Sequence, residues 1–347
     1  MKIVSFSQAK EGSSGPSGFV HKFSRVHLEL RQDPYRVGLL PAELIQQVFE
    51  IPPQSAAEFW IALDDLGKTV GRLSANFSPV YPGVGYIGFF EAADLSTTKA
   101  LLNSAWDWFR NKSNGSALKI YGPVNFNTWL PYRFRVGQEE DPTPSFSFEP
   151  VNPPEYPLWF QELGFRPVET YHSSASAGVD GIVESTKKSY EKALQNGFSF
   201  RQMAADGFLE RAVPKIHEIS QVVFQDNFLF EPIPYSFFHS LYVPIAKKAD
   251  LSLSYFALDP QGKEVGFFFN FIESGSFVMK TAALLPESRG AGVSNAMLYL
   301  AAKDAQTRGV RQSIVALVRD GIQSESYTRK QVETWKHRYA LFLKEFS

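Results

Sequence analysis

The densest chemical signal in the chain runs from Leu285 to Met297 and reads Leu-Pro-Glu-Ser-Arg-Gly-Ala-Gly-Val-Ser-Asn-Ala-Met. An apolar run stops, two glycines follow, and an amphipathic stretch begins. Gly290 and Gly292 permit dihedrals closed to other residues and let main chain come close to a ligand. The start of a helix presents unpartnered N–H groups and the positive end of its dipole. Such a loop suits a phosphate cradle made of backbone donors, with the Arg289 cation beside it. An ordinary strand-to-helix turn with Ser294 as N-cap has the same ingredients. Two other phosphate motifs are excluded. No Gly-Lys-Ser/Thr follows, so this is not a Walker loop, and the antiparallel strands expected ahead of it do not make a dinucleotide-binding βαβ unit.

Elsewhere the reactive side chains are sparse. Cysteine is absent from all 347 positions, which removes thiolate nucleophiles, disulfides and cysteine zinc sites. His21, His27, His172, His217, His239 and His337 are scattered, none three to five residues from another, so no local metal pair is visible and no metal is expected. His217, beside Ile216, reads as structural. Asp226-Asn227-Phe228-Leu229-Phe230, ahead of Pro232 and Pro234, mixes apolar walls with few polar groups as ligand pockets do. Asp226, Asn227 and Phe228 are therefore candidate substrate-binding residues, with core anchoring by Phe228 and Phe230 as the alternative. Trp129, near Tyr132 and Arg133, is a further substrate-binding candidate.

The elements that must position these residues follow from pattern. In the C-terminal half, strands are expected at Phe198–Gln202, Leu251–Leu258, Glu264–Ile272, Phe277–Leu285 and Gln312–Val318. Helices are expected at Leu209–Phe224, Tyr235–Lys248 and Val293–Arg308. Asp259-Pro260-Gln261-Gly262 and Glu273-Ser274-Gly275 are the turns between them. The N-terminal half repeats this rhythm: strand Ile3–Ser7, helix Val20–Leu30, hairpin Glu58–Leu63 and Thr69–Asn76, strand Gly85–Glu91, helix Thr97–Lys112, strand Leu118–Tyr121. The fold class is α+β with mixed sheets, duplicated. Asp180–Asn196 reads as the connection, giving domains of 1–180 and 181–347.

Arg289-Gly290-Ala291-Gly292-Val293-Ser294 resembles the Gln/Arg-x-x-Gly-x-Gly/Ala motif that GNAT acyltransferases carry between their fourth strand and third helix. The last motif position is Ser294 rather than Gly or Ala. The resemblance covers about residues 198–347. It implies a seven-strand mixed sheet, acetyl-CoA or another acyl-CoA as donor, and acyl transfer to an amine. It further implies that Arg289, Gly290, Ala291, Gly292, Val293 and Ser294 hold the pyrophosphate, and that the backbone of Thr281, Ala282, Ala283 and Leu284 meets the pantetheine. For proton transfer, Glu273 is a candidate base, with Asp226 and Glu231 as others. Tyr327 is a candidate acid, with Tyr339 as another, although Tyr339 reads as part of the last strand and the family's Asn-x-x-Ala-x-x-x-Tyr spacing is missing. The N-terminal half is similar to a degenerate GNAT-like half. Glu91-Ala92-Ala93-Asp94-Leu95 holds the place of its phosphate loop, and two carboxylates there would repel a pyrophosphate. Its functional role would be a wall of the acceptor pocket; its alternative is a structural lobe.

Composition bounds the function classes. The 35 basic and 36 acidic side chains nearly cancel, which argues against nucleic-acid binding, including aminoacyl transfer from tRNA. No signal peptide or membrane span is visible, so the expectation is a soluble cytoplasmic protein, monomer or homodimer. Two readings remain: an acyl-CoA-dependent N-acyltransferase acting on a small-molecule or peptide amine, and a non-catalytic acyl-CoA-binding or scaffold protein of the same fold.

Overall fold

Two hairpins with the same turn chemistry mark the duplication. Asp64 Oδ1 accepts the Leu66 and Lys68 N–H groups at 2.9 and 2.8 Å. Asp259 Oδ1 accepts those of Gln261 and Lys263 at 3.0 and 2.9 Å. Gly67 and Gly262 close the turns at φ of 77° and 81°, left-handed values that favour glycine. The computed structural model describes residues 1–11, 15–32, 35, 40–49, 56–137, 146–203, 207–248, 250–321 and 332–346.

The chain divides into two compact units, Met1–Thr170 with Arg338–Ser347, and Tyr171–His337. The first unit contains β1 (Lys2–Ser5), α1 (Phe6–Glu11), α2 (Gly15–Leu30), α3 (Ala42–Val48), β2 (Ala57–Leu63), β3 (Thr69–Phe77), β4 (Val84–Ala92), α4 (Leu95–Ser113), β5 (Leu118–Gly122), β6 (Phe134–Val136) and α5 (Glu155–Glu162). The second holds most of β7 (Arg166–Ala177), then α6 (Asp180–Gln195), β8 (Ser199–Gln202), a π-helical turn (Phe208–Ala212), α7 (Val213–Val223), α8 (Tyr235–Lys248), β9 (Tyr255–Leu258), β10 (Glu264–Glu273), β11 (Ser276–Leu284), α9 (Val293–Thr307) and β12 (Gln312–Arg319). The last strand, β13 (Glu333–Phe346), runs to the end of the described chain.

Strand order is β1-β2-β3-β4-β5-β13 in the first unit and β8-β9-β10-β11-β12-β7 in the second, each mostly antiparallel. The parallel pairs are β4–β5 and β11–β12, each joined by a crossover helix, α4 or α9. This is the expected α+β class, present twice. The strand beyond each parallel pair is exchanged in sequence. The C-terminal strand completes the first unit, pairing Phe342 with Gly122 and Phe346 with Leu118. The strand that precedes the second repeat completes the second, pairing Gln312 with Ala177.

Residues 180–196, read as the connection, form α6, which packs along α9, with Tyr190 stacked on Tyr299 at 4.8 Å and Gln306 Nε2 donating to Asp180 Oδ1 at 2.6 Å. The strand expected from Leu251 starts at Tyr255, because Asp250 Oδ1 accepts the Ser252 N–H at 3.0 Å and the Ser254 N–H turns back to the Leu251 carbonyl at 2.9 Å.

In the first unit, Phe342 and Ala340 of β13 are buried in one core with Ile87, Phe90, Leu101, Phe109 and Phe160. The opposite face of the sheet packs Phe59 and Phe89 against Phe23 of α2 in edge contacts at 5.3 and 6.1 Å. Among the described residues, no helix is long and apolar enough to cross a membrane. Phe342→Ala should destabilise the protein by about 3–5 kcal/mol, the range for truncating a buried phenylalanine. Urea unfolding checks this; a loss under about 1 kcal/mol would contradict a C-terminal strand built into the core of the N-terminal unit.

Candidate functional site

The site in the second unit begins where two strands stop pairing. β11 and β12 are parallel partners from Ser276↔Gln312 to Met279↔Val315, and no further. On its other side β11 stays bonded to β10 as far as Gly266↔Leu284, with an extra residue, Lys280, accommodated between Phe269↔Thr281 and Asn270↔Met279. That bulge bends β11 away from β12. Beyond it, the edge of Thr281–Leu284 that faces the wedge has no strand partner among the described residues. Unpaired backbone groups in such an edge are ready for another extended chain.

The wedge leads to the glycine loop. Leu285 opens a short 3₁₀ turn, Pro286–Ser288, and Arg289 Nε reaches back toward the Leu284 carbonyl at 3.4 Å. Gly290 and Gly292 have φ of 83° and 82°. No side chain caps the first turn of α9, whose N-cap is Gly292. A Cβ at Gly292 would lie 3.1 Å from the Ser189 carbonyl oxygen of α6, so this glycine also serves helix packing. Ser294 is not an N-cap; it lies inside the helix, half-buried.

The structure brings several of the remaining expected residues near this wedge and separates others. Phe228 is half-buried, with the Arg319 guanidinium 5.6 Å above its ring at the end of β12. Asp226 and Asn227 are exposed beside it in the α7–α8 connection. Glu273 is the last residue of β10. It pairs with Ser276 across the β10–β11 turn, and Thr281 is five residues further along, about 16 Å of extended strand. Tyr327 lies outside the described residues. Tyr339 belongs to β13, fully buried, and donates to Glu149 Oε1 at 2.6 Å. Trp129 lies in the first unit, half-buried, its N–H bonded to Asn127 Oδ1 at 3.0 Å. His217 Nε2 contacts the Ile233 carbonyl at 3.0 Å, a structural role. Sequence spacing missed one pair: His172 Nδ1–H donates to Asp320 Oδ1 at 2.6 Å, across 148 residues. Nothing local in the sequence signals it.

No family model matches the sequence, and no curated protein matches it. Solved structures do. A tandem GNAT protein from the clavulanic acid biosynthesis pathway superposes with a TM-score of 0.53 at 13% identity, covering 99% of this chain and 98% of that one. A conserved protein of unknown function from Enterococcus faecalis V583, described as a probable N-acyltransferase, gives 0.58 at 9% identity, covering 99% of this chain and 72% of that one. The glucosamine N-acetyltransferase region of a fungal multi-domain β-N-acetylglucosaminidase gives 0.54 at 14%; this chain spans 38% of that protein. The fold is that of a tandem GNAT protein.

The first unit answers the same geometry differently. Its parallel pairing ends at Tyr86↔Tyr121. The space beyond is taken by its own chain: the Val124 N–H donates to the Ile87 carbonyl at 2.8 Å and the Phe89 N–H donates to Asn125 Oδ1 at 2.6 Å. Gly88 is required there, since a Cβ would lie 2.1 Å from the Val124 carbonyl oxygen. The helix that follows is capped from within, Asp94 Oδ1 accepting the Thr97 N–H at 2.7 Å. Glu91 does not repel as a free charge. It is buried, bonded by Arg31 at 2.8 and 2.9 Å and by the Tyr156 hydroxyl at 3.1 Å, with Arg72 at 3.6 Å.

The same cluster holds a neutral histidine. Burial, then the Arg72 and Arg31 charges, pull His27 from 6.5 down to about 3. Its Nε2–H bonds the Leu40 carbonyl at 3.0 Å. The unfolded chain therefore binds a proton at His27 that the folded one refuses. This leaves stability intact above about pH 6.5 and erodes it toward pH 3, by at most about 1.4 kcal/mol per pH unit. Urea unfolding between pH 6.5 and 4 should show a slope shallower by about one proton in His27→Gln. An unchanged slope would contradict the assignment.

Proposed function

We propose that the chain is an acyl-CoA-dependent N-acyltransferase whose second unit holds the donor and passes its acyl group to the amine of a small molecule or peptide. One observation carries this reading: the β11 edge, unpartnered among the described residues, leads directly into an uncapped helix N-terminus through a loop with two left-handed glycines. An acyl-CoA offers the matching sequence of groups, an extended diamide arm followed by a pyrophosphate. The main chain of Thr281, Ala282, Ala283 and Leu284 would meet the arm in strand-like fashion. The loop Gly290–Gly292, the N–H groups of Val293 and Ser294 and the Arg289 cation would hold the anion. A backbone N–H aimed at the thioester oxygen stabilises the charge that develops there as the amine attacks. Acetyl is the smallest acyl group and the first to test.

The second reading is acyl-CoA binding without turnover, and the placement of Glu273 away from the wedge favours it. Intact-mass detection of acylated product across a panel of primary amines, with acetyl-CoA as donor, separates the two. For the binding site itself, calorimetry with CoA should give one site per chain. Ser294→Glu should weaken CoA at least tenfold, about 1.4 kcal/mol, because the new carboxylate occupies the anion's end of α9. The same change should leave the thermal midpoint unchanged or raised, since an acidic residue in a first turn favours the helix. Ser294 is the better position than Gly292, where any side chain presses on α6. Unchanged CoA affinity in this variant would remove the phosphate-loop assignment.

A further inference from the structure

We propose that His172 and Asp320 form the proton-transfer dyad of the acyl transfer proposed above, a role that rests on that reading. Both residues belong to the second unit. His172 is on β7, buried, and Asp320 follows the last residue of β12 with its side chain 40% exposed. Their bond, Nδ1–H to Oδ1 at 2.6 Å, fixes one imidazole nitrogen as a donor. Nε2 makes no hydrogen bond among the described residues, so its lone pair is available.

The position on the sheet is set by a second bulge. β12 pairs with β7 at Val315↔Ser174 and again at Val318↔His172, so one residue of β12 is extra. Leu317 takes φ of 58° within it, and its N–H donates to Ser173 Oγ at 2.8 Å. That side-chain bond pins the irregularity in place. Val315 is also the last β12 residue paired with β11. Everything beyond it on β12 is therefore a wall of the wedge, and Asp320 stands on that wall with His172 one strand behind, at a spacing of about 4.8 Å. Bulges re-aim side chains beside active sites, and this one carries Val318, His172 and Asp320 onto a single face.

A histidine oriented in this way closes the proton balance that Glu273 and Tyr339 leave open. The neutral amine nitrogen attacks the thioester carbonyl carbon and forms the C–N bond. Nε2 takes the proton released from that nitrogen. The adduct collapses, the C–S bond breaks, and the departing thiolate takes the proton from Nε2–H. Amide and CoA thiol leave with the imidazole neutral again. Asp320 remains ionised throughout, holding the Nδ1–H tautomer and offsetting the transient imidazolium charge.

The titratable groups on the strands beside His172 in the same unit are Arg319 on β12 and Asp320 just after it, Tyr171 on β7, and Glu333, Lys336 and His337 on β13. The experiment uses the full chain, acetyl-CoA, and the primary amines of the panel with water as the default acceptor. His172→Gln and Asp320→Asn should lower kcat at least 100-fold and about 10-fold, respectively. The KM for acetyl-CoA should stay within threefold and the calorimetric CoA affinity within twofold. The acidic limb of the kcat/KM profile, where protonated imidazole cannot act as base, should vanish in His172→Gln and persist in His337→Asn. Asp320 is half-exposed, so its variant remains informative if His172→Gln fails to fold. Folded dyad variants that turn over within threefold of the wild type with the same acidic limb would overturn the dyad alone. A limb lost in His337→Asn would overturn it as well. A wild-type chain that binds no CoA would overturn the acyl-CoA reading and the dyad with it.

Discussion

A parallel strand pair that separates partway along its length is the feature on which the second unit depends. Hydrogen bonding normally propagates to the end of a ladder, because each unpaired buried N–H or C=O costs free energy. β11 escapes this by inserting Lys280, which keeps its bonds to β10 while freeing the edge toward β12. β12 inserts its own extra residue against β7, and Ser173 Oγ replaces a missing ladder partner. Two bulges on adjacent strands thus open a wedge inside a sheet that remains continuous on both flanks of the unit. The glycine loop matters only because the freed edge runs into it.

The first unit shows what happens when the same wedge is occupied by protein. The segment after β5 continues along β4, and the Val124 amide and Asn125 carboxamide supply partners that the β11 edge lacks among the described residues. Below it, Glu91 draws Arg31 and Arg72 into a buried cluster with Tyr156. Removing one member of such a cluster leaves uncompensated charge, so it locks the region. Among the described residues, one unit has its wedge filled by its own chain and the other does not.

Much of this architecture was legible because it is local. The Asp-x-x-Gly turns, the alternating strands and the apolar face of α4 all declare themselves within a few residues, and so does the Arg289–Ser294 loop. What stayed hidden is what joins distant residues. The exchange of β7 and β13 cannot be read from a strand pattern, because pairing partners as distant as Ala177 and Gln312, or Gly122 and Phe342, leave no periodicity. The early half of β9 was lost to Asp250, whose short side chain offers the backbone a turn in place of a ladder. α6 read as a connection because its exposed face is charged, although its other face packs on α9. Glu273 borders β11 in sequence, and the register pairs it with Ser276, at the end of β11 opposite to the glycine loop.

Helix N-termini make the final contrast between the units. Every helix begins with N–H groups that need acceptors and a dipole that favours negative charge. α4 receives both from Asp94, two residues after β4 ends, and its requirement is met inside the chain. α9 is reached through residues 285–292, too long and too rich in glycine to supply a cap, and Gly292 has no side chain to give. A connection of that length carries an entropic cost in ordering left-handed glycines, and its internal hydrogen bonds, such as Ser288 N–H to the Leu285 carbonyl at 3.0 Å, put no side-chain cap on α9. The free energy that would come from capping is left for an external anion to supply. On the proposed reading, that residual need, beside an edge that also lacks partners, turns one of two copies of a fold into a site for an acyl donor.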